Sequence, residues 1–392
     1  MNKLNHSDFE DTKTAFAYQS DSELKNTFLV FKAMSFPWLV NLGSHATLLA
    51  LKMHLPIAPL LKNTIYKHFC GGNTLEEVSR VVEKLEKYNI SVILNYGVRG
   101  KHSEEEFDKT ADAMHRTLDY AIKNKNITTI SCKPSGLIEH DLLEKVTANK
   151  SLTPAEETRY NRGVERLRKL LSRAHDNKVT VHLDAEETWI QGAIDDIALE
   201  LSKEFNKDFP TVINGIQLYI KDKLDFLKYS LEHAKTHNYI AAVKLVRGAY
   251  MEKERARALE MGYPSPICDT LEDTHKNYNA GLKYCVENID VFHLSNATHN
   301  EASCIYLAEL MDKNGLPPSH PKILTSQLKG MSDNISFSMA SKGYNIQKYI
   351  PYGPVKQVIP YLLRRAQENT SVEGQTTREL DLVTIEKKRR NI

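Results

Sequence analysis

The stretch YLLRRAQEN, Tyr361 to Asn369, carries two adjacent arginines and a glutamate at a spacing that could do chemistry. On a helix turning about 100° per residue, Tyr361, Arg364, Arg365 and Glu368 share an arc of about 100°. Val355, Val358, Ile359, Leu362, Leu363 and Ala366 fill the opposite side, an apolar stripe at helical spacing. The helix has something to bury and something to present. Two readings fit the charged face. One is a solvated Arg364–Glu368 ion pair at i,i+4, worth a few tenths of a kcal/mol. The other is a fork of guanidiniums that grips a carboxylate or phosphate in bidentate geometry.

Further polar groups stand at the ends of short apolar runs: Lys133, Asp184, Gln217, the run KLVRGAY (244–250), ATHN (297–300), Leu328 and Tyr349. Each has a plainer reading beside the functional one. Asp184 opens DAEE, so it is either a site carboxylate or an N-cap with Glu187 reaching back in a capping box. Lys133 reads equally as a strand-end lysine in solvent, Asn300 as the N-cap of EASCIYLAELM, and His299 as a hydrogen-bonded structural histidine. Gly248 fits a turn, and Tyr250 and Tyr349 fit packing roles.

Positioning these groups falls to a repeated element pair. Residues 1 to about 88 read as mostly helical, with TLEEVSRVVEKLEKY the clearest amphipathic segment. β-rich runs then alternate with helical ones: 91–96, 128–133, 179–184, 212–219, 240–246, 289–295, 322–328 and 346–351. Eight strand–helix units predict a closed parallel (β/α)₈ TIM-like barrel rather than an open doubly wound sheet. Such barrels keep their chemistry at the C-terminal strand ends, where the polar groups above fall. The expected organisation is an N-terminal helical arm (1–88), a catalytic barrel (89–380) with its last helix over the mouth, and a basic C-terminal tail (381–392).

Composition narrows the function classes. With 392 residues, 41% hydrophobic and 26% charged, the chain reads as soluble and globular. Its 52 basic and 50 acidic side chains give a net charge of +2, too balanced to argue for nucleic acid. Only KKRR, Lys387 to Arg390, is a basic run, solvated or facing anionic lipid. Five cysteines without a C-x-x-C suggest a reducing compartment and no metal site. No G-x-G-x-x-G and no P-loop motif occurs. The start, MNKLNHSDFEDTK, is too acidic for a transit peptide and lacks a signal sequence's apolar core. The uncharged stretch Ala33 to Leu51 is too interrupted for a membrane span, so it covers the core or touches lipid.

Taken together, YLLRRAQEN, KLVRGAYMEKERARALEMGY, ATHN, LDAEE and YIPYGP resemble the proline dehydrogenase family, arriving in that family's order over roughly residues 65 to 380. The resemblance implies a monofunctional flavoenzyme with non-covalent FAD. It would oxidise L-proline to Δ1-pyrroline-5-carboxylate and pass electrons to a membrane quinone, the first step of proline catabolism to glutamate. Carried across residue by residue, Arg364, Arg365 and Lys133 grip the proline carboxylate, and Glu368 partners the basic groups or the amine. Leu328, Tyr349 and Tyr250 wall the pyrrolidine ring. Asp184, Lys244 and Tyr250 surround the reacting atoms. Gln217, Lys244, the backbone of Arg247, Gly248 and Ala249, Thr298 and His299 contact FAD.

Lys244 and Met251 stand where bifunctional bacterial members often carry Arg and Trp; Lys keeps the charge without the bidentate fork. A chain of 392 residues leaves no room for an aldehyde dehydrogenase domain, so a separate pyrroline-5-carboxylate dehydrogenase is expected downstream. A cytoplasmic protein, peripheral on the inner face of the membrane, is the implied location. Rival readings are hydroxyproline dehydrogenation, whose relatives carry a smaller residue at the position of Tyr349, and a Schiff-base aldolase on Lys133. A catalytically silent binding barrel is the third.

Overall fold

A computed structural model describes residues 3–36, 38–40, 42–43, 47, 53, 61–97, 103–359, 361–363 and 375–392. Arg364, Arg365 and Glu368 lie outside the described residues.

All eight predicted strands form: β1 (Ile90–Tyr96), β2 (Ile127–Cys132), β3 (Thr180–Leu183), β4 (Val212–Gln217), β5 (Ala241–Val246), β6 (Phe292–Ala297), β7 (Ile323–Leu328) and β8 (Ile346–Tyr352). They close in sequence order into one parallel barrel. Their β-branched and aromatic residues suit strands buried on both faces. Every residue of β3 and β4 is buried. The helices that matter below are α1 (Asp21–Met34), α2 (Leu75–Glu86), α3 (Glu104–Lys123), α4 (His140–Thr147), α5 (Pro154–Asp176), α6 (Thr188–Phe205), α7 (Lys223–His237), α8 (Met251–Met261), α9 (Leu271–Glu287), α10 (Glu301–Lys313), α11 (Asp333–Ser341) and α12 (Gln375–Arg390).

Local chemistry sets their ends. Ser20 and Thr153 close capping boxes with Glu23 and Glu156 at the starts of α1 and α5. Asn300 caps α10 by accepting the Ser303 N–H at 2.8 Å, as its sequence position suggests. Helix α7 stops at Asn238 and α8 at Gly262, both in the left-handed region.

The chain divides into two compact units, Met1–Val98 with Gln327–Ile392, and Arg99–Ser326. In the first, β1 pairs with β8 from Ile90–Ile346 to Tyr96–Tyr352. Residues 355–359 and 361–363 are helical, and Val355, Val358, Ile359 and Leu362 bury the expected stripe among Val30, Met34, Tyr66, Phe69 and Met331. Burying such a side chain contributes about 1.5–3 kcal/mol, so this helix is held by its apolar face. The basic run does not hang free. It is the last turn of α12, whose Leu382 and Val383 pack with Phe16, Leu24 and Phe31. Arg389 and Arg390 both bind Glu386, which is fully buried.

In the second unit, β2 through β7 pair in order, with His182 beside Ser131 and Ile213, and Lys244 beside Gly215 and Ser295. Because side chains alternate along a strand, Ser131 shares a face with Lys133, and His182 shares one with Asp184. That register decides which groups can meet at the strand ends.

Candidate active site

Lys244, on β5, reaches past β4 to an ion pair with Asp184, just beyond β3. Opposite Lys244 on the intervening strand stands Gly215. A Cβ at Gly215 would lie 2.8 Å from the Ala185 N and 3.0 Å from the Leu183 carbonyl oxygen, so only glycine lets the strands approach this closely. Ser131 on β2 donates its hydroxyl to the other Asp184 oxygen at 2.7 Å. Burial by itself would raise the Asp184 carboxyl. The ammoniums of Lys244 and Lys133, with the two hydrogen bonds, hold it well below the usual carboxylate range. Asp184 is therefore ionised.

The capping-box reading of DAEE is overturned. The Asp184 N–H still donates to the Cys132 carbonyl at 2.9 Å, prolonging strand pairing, and α6 begins only at Thr188. Glu187 occupies the N-cap position and makes no side-chain cap. The carboxylate is committed to lysine and serine instead.

Lys133 follows β2 and donates its ammonium to the Tyr250 hydroxyl at 2.9 Å, with the ammonium 5.6 Å from the ring centroid. Tyr250 is buried, whereas Gly248 and Ala249 just before it are exposed. Gly248 has φ +153°, and a Cβ there would lie 2.3 Å from the Tyr219 ring, so the turn requires glycine. Gln217 ends β4 with its amide donating to the Glu186 carbonyl at 2.7 Å. Arg247 donates to Thr298 Oγ1 at 2.7 Å, to Ser303 Oγ at 3.0 Å and to His275 Nδ1 at 2.9 Å. The guanidinium also lies over Tyr278, 4.3 Å from its ring centre. His299, half-buried, follows Thr298 at the end of β6.

In Arg99–Ser326, then, the structure joins Lys133 with Tyr250, Lys244 with Asp184, and Arg247 with Thr298. Leu328 and Tyr349 belong to the other unit. Leu328 ends β7 and packs against the cluster that holds Val358 and Leu362. Tyr349 lies in β8, half-buried, its carbonyl accepting from the Lys329 N–H at 2.9 Å.

Three contributors escaped the sequence reading. Ser131 carried a signal, since it lies two residues before Lys133 on the same strand face. Gly215 carried none, because its use depends on the register of two neighbouring strands. Glu186, nearly fully buried, binds the N–H of Ser135 at 3.0 Å and its hydroxyl at 2.5 Å, tying the loop after Lys133 to the loop after Asp184.

Gathered cations around an ionised carboxylate, at the ends of parallel strands, suit a small zwitterion and an anionic cofactor. The sequence matches the family model described as Proline dehydrogenase over residues 78–378. The chain belongs to the proline dehydrogenase family. As a member it is an oxidoreductase acting on the CH–NH group of proline. It is 30% identical to proline dehydrogenase 1, mitochondrial, of Dictyostelium discoideum, over 97% of this chain and 74% of that one. To the hydroxyproline dehydrogenase of Xenopus laevis it is 28% identical, over 96% and 88%. Proline utilization A from Bdellovibrio bacteriovorus, inactivated by N-propargylglycine, superposes with a TM-score of 0.74 at 21% identity, covering 95% of this chain. The chain spans 40% of that longer protein, and the likeness bears on the fold. None of the described helices is long and apolar enough to cross a membrane.

Proposed function

We propose that the chain uses non-covalent FAD to oxidise L-proline to Δ1-pyrroline-5-carboxylate and passes the electrons to a membrane quinone. The observation that carries this reading is the pairing of Lys133 with Tyr250 and of Lys244 with Asp184 at the ends of β2, β3 and β5. Proline has few handles: a carboxylate, an amine and an apolar ring. Lys133, with Arg364 and Arg365, attracts the carboxylate, since charge-assisted bonds out of water are the strongest available. Tyr250, Leu328 and Tyr349 pack the ring, and Glu368 partners the basic groups or the amine. Asp184 holds Lys244 in place and balances the gathered positive charge.

The residues present suit FAD. Lys244 and Arg247 are cations, Gln217 and Thr298 are polar and buried, His299 adds a ring nitrogen, and Gly248 and Ala249 leave their backbone exposed. When bound, the flavin supplies the acceptor for the hydride that leaves proline C5. The protein's share is to orient the ring and to keep cations where negative charge develops. Purified protein should be yellow, bleach with L-proline in the absence of oxygen, and lose its colour to the low-mass fraction on denaturation. A colourless protein with a reactive Lys133 would return the aldolase reading; flavin that stays with the denatured chain would contradict non-covalent binding.

Residues 1–88 would form the arm of this enzyme and 381–392 its tail, with a separate dehydrogenase consuming the product. We place the protein peripherally on the cytoplasmic face of the membrane, and exposed Leu29, Phe36, Trp38 and Leu42 support the membrane contact. Sedimentation with anionic vesicles is expected to fade as salt screens the charges; no sedimentation at low salt counts against it.

A second reading, oxidation of 4-hydroxyproline, is favoured by the likeness to the Xenopus laevis enzyme. Tyr349 decides between them. An aromatic wall packs on an unsubstituted ring, whereas an added hydroxyl must lose water and find a partner. Apolar pockets reject such a hydroxyl by about 10²-fold. The parent is expected to prefer proline on that order, and Tyr349→Ser to narrow the ratio of the two kcat/KM values. Measuring both substrates with both proteins checks this; an unchanged ratio in the variant would sink it.

A further inference from the structure

Helix α6 lacks an N-cap of its own, and its first N–H is satisfied from another element. Glu254, in the first turn of α8, accepts the Thr188 N–H at 2.7 Å and the Thr188 hydroxyl at 2.6 Å, one on each carboxylate oxygen. Its residue exposure is 0%. Burial pushes the Glu254 carboxyl up, and the two Thr188 bonds oppose that shift. A carboxylate at a helix N-terminus also meets the positive end of the helix dipole. Its neighbours extend the clamp. Lys253 pairs with Glu187 and Arg257 with Glu144 of α4, while both cations face the Trp189 ring, at 5.2 and 4.4 Å from its centre. Three residues of α8 are thus fastened around the α6 N-terminus.

What α8 carries gives the clamp its use. Tyr250 is the N-cap residue of α8, and the Glu254 N–H donates to its carbonyl at 2.9 Å. Upstream of Thr188, only four residues away, lies Asp184. We propose that Glu254 is a positioning residue of the proline site, capping α6 from α8 and so fixing the Tyr250 ring against Lys133. Glutamine preserves this arrangement, because its carbonyl accepts the Thr188 N–H and its amide donates to the Thr188 hydroxyl. Alanine removes both bonds and takes the acceptor from a part-buried N–H.

The inference rests on the assignment of Tyr250 to the proline site, and a double-mutant cycle separates the two. KM for L-proline and kcat are measured on the flavin-loaded full chain, with a soluble dye acceptor, for the parent, Glu254→Ala, Glu254→Gln, Tyr250→Phe and the Glu254→Ala/Tyr250→Phe double variant. Glu254→Ala is expected to raise KM about tenfold while changing kcat less, and Glu254→Gln to stay within about twofold of the parent. In the Tyr250→Phe background, which has already lost the Lys133 contact, Glu254→Ala should add less than about twofold. If Glu254→Ala does not fold, Thr188→Val, which removes the hydroxyl and keeps the N–H, should raise KM in the parent and not beside Tyr250→Phe. Equal KM rises in both backgrounds, or a lowered Tm with KM unchanged, would overturn the inference and leave Glu254 merely structural. Tyr250→Phe raising KM while Glu254→Ala does not would sink the inference alone; Tyr250→Phe leaving KM unchanged removes Tyr250 from the site and the inference with it.

Discussion

Replacing Asp184 by alanine is expected to lower stability by about 3–5 kcal/mol and kcat/KM for L-proline by at least about 10²-fold, because it takes the carboxylate away from a buried ammonium. Lys244 and Asp184 are both under 10% exposed, so water replaces the lost carboxylate poorly. Ser131 loses its acceptor as well. The pH dependence has a definite sign. The folded-state pKa of Asp184 lies below its unfolded value, so the carboxylate's contribution is fully present above about pH 4 and is lost as acid protonates the folded group. Urea unfolding of parent and variant should show a constant stability gap between about pH 5 and 8 that narrows only in stronger acid. A gap that widens on acidification, or a variant as stable as the parent, would remove the ion pair from the account.

Arg365→Ala should act on substrate rather than on folding. The helical residues that precede it, 355–359 and 361–363, are anchored by Val355, Val358, Ile359 and Leu362, which the substitution leaves in place. Truncating one partner of a buried charge pair costs about 2–5 kcal/mol, and each 1.4 kcal/mol is tenfold. A rise of about 10²-fold in KM for proline, with Tm shifted by no more than a few degrees, is the expected result. Unchanged KM in a folded variant would assign the two arginines to the solvated Arg364–Glu368 face.

The barrel was legible because its strands announce themselves locally. Runs such as VTVHLD and IAAVKLV are rich in β-branched and apolar residues, and they became β3 and β5. The ends were less so: β6 starts at Phe292 rather than Ile289, since the Val291 N–H closes a turn onto the Asn288 carbonyl. Lys133, Asp184 and Tyr250 could be found as charged or polar groups at strand ends. Their partners could not. That Asp184 meets Lys244 depends on Gly215 standing between them, and that Glu254 caps α6 depends on two residues 66 apart in sequence, on different helices. DAEE misled for the same reason: a capping box is a local pattern, and a long-range ion pair outcompeted it.

The docking of α12 has a consequence for the order of events during synthesis. Thr12 donates its hydroxyl to Glu386 across 374 residues, and Arg390 donates to the carbonyls of Phe16 and Gln19 at 2.8 and 2.7 Å. At roughly 5–20 residues per second, the first helices leave the ribosome roughly 20–75 s before the residues that complete their packing exist. Arg99–Ser326 is continuous in sequence and can condense while the chain is still growing. Phe16, Leu24 and Phe31 stay without their partners Leu382 and Val383 until those residues have been made. In the nascent protein Phe16, Leu24 and Phe31 are therefore an apolar surface that synthesis exposes long before it supplies the α12 residues that cover it.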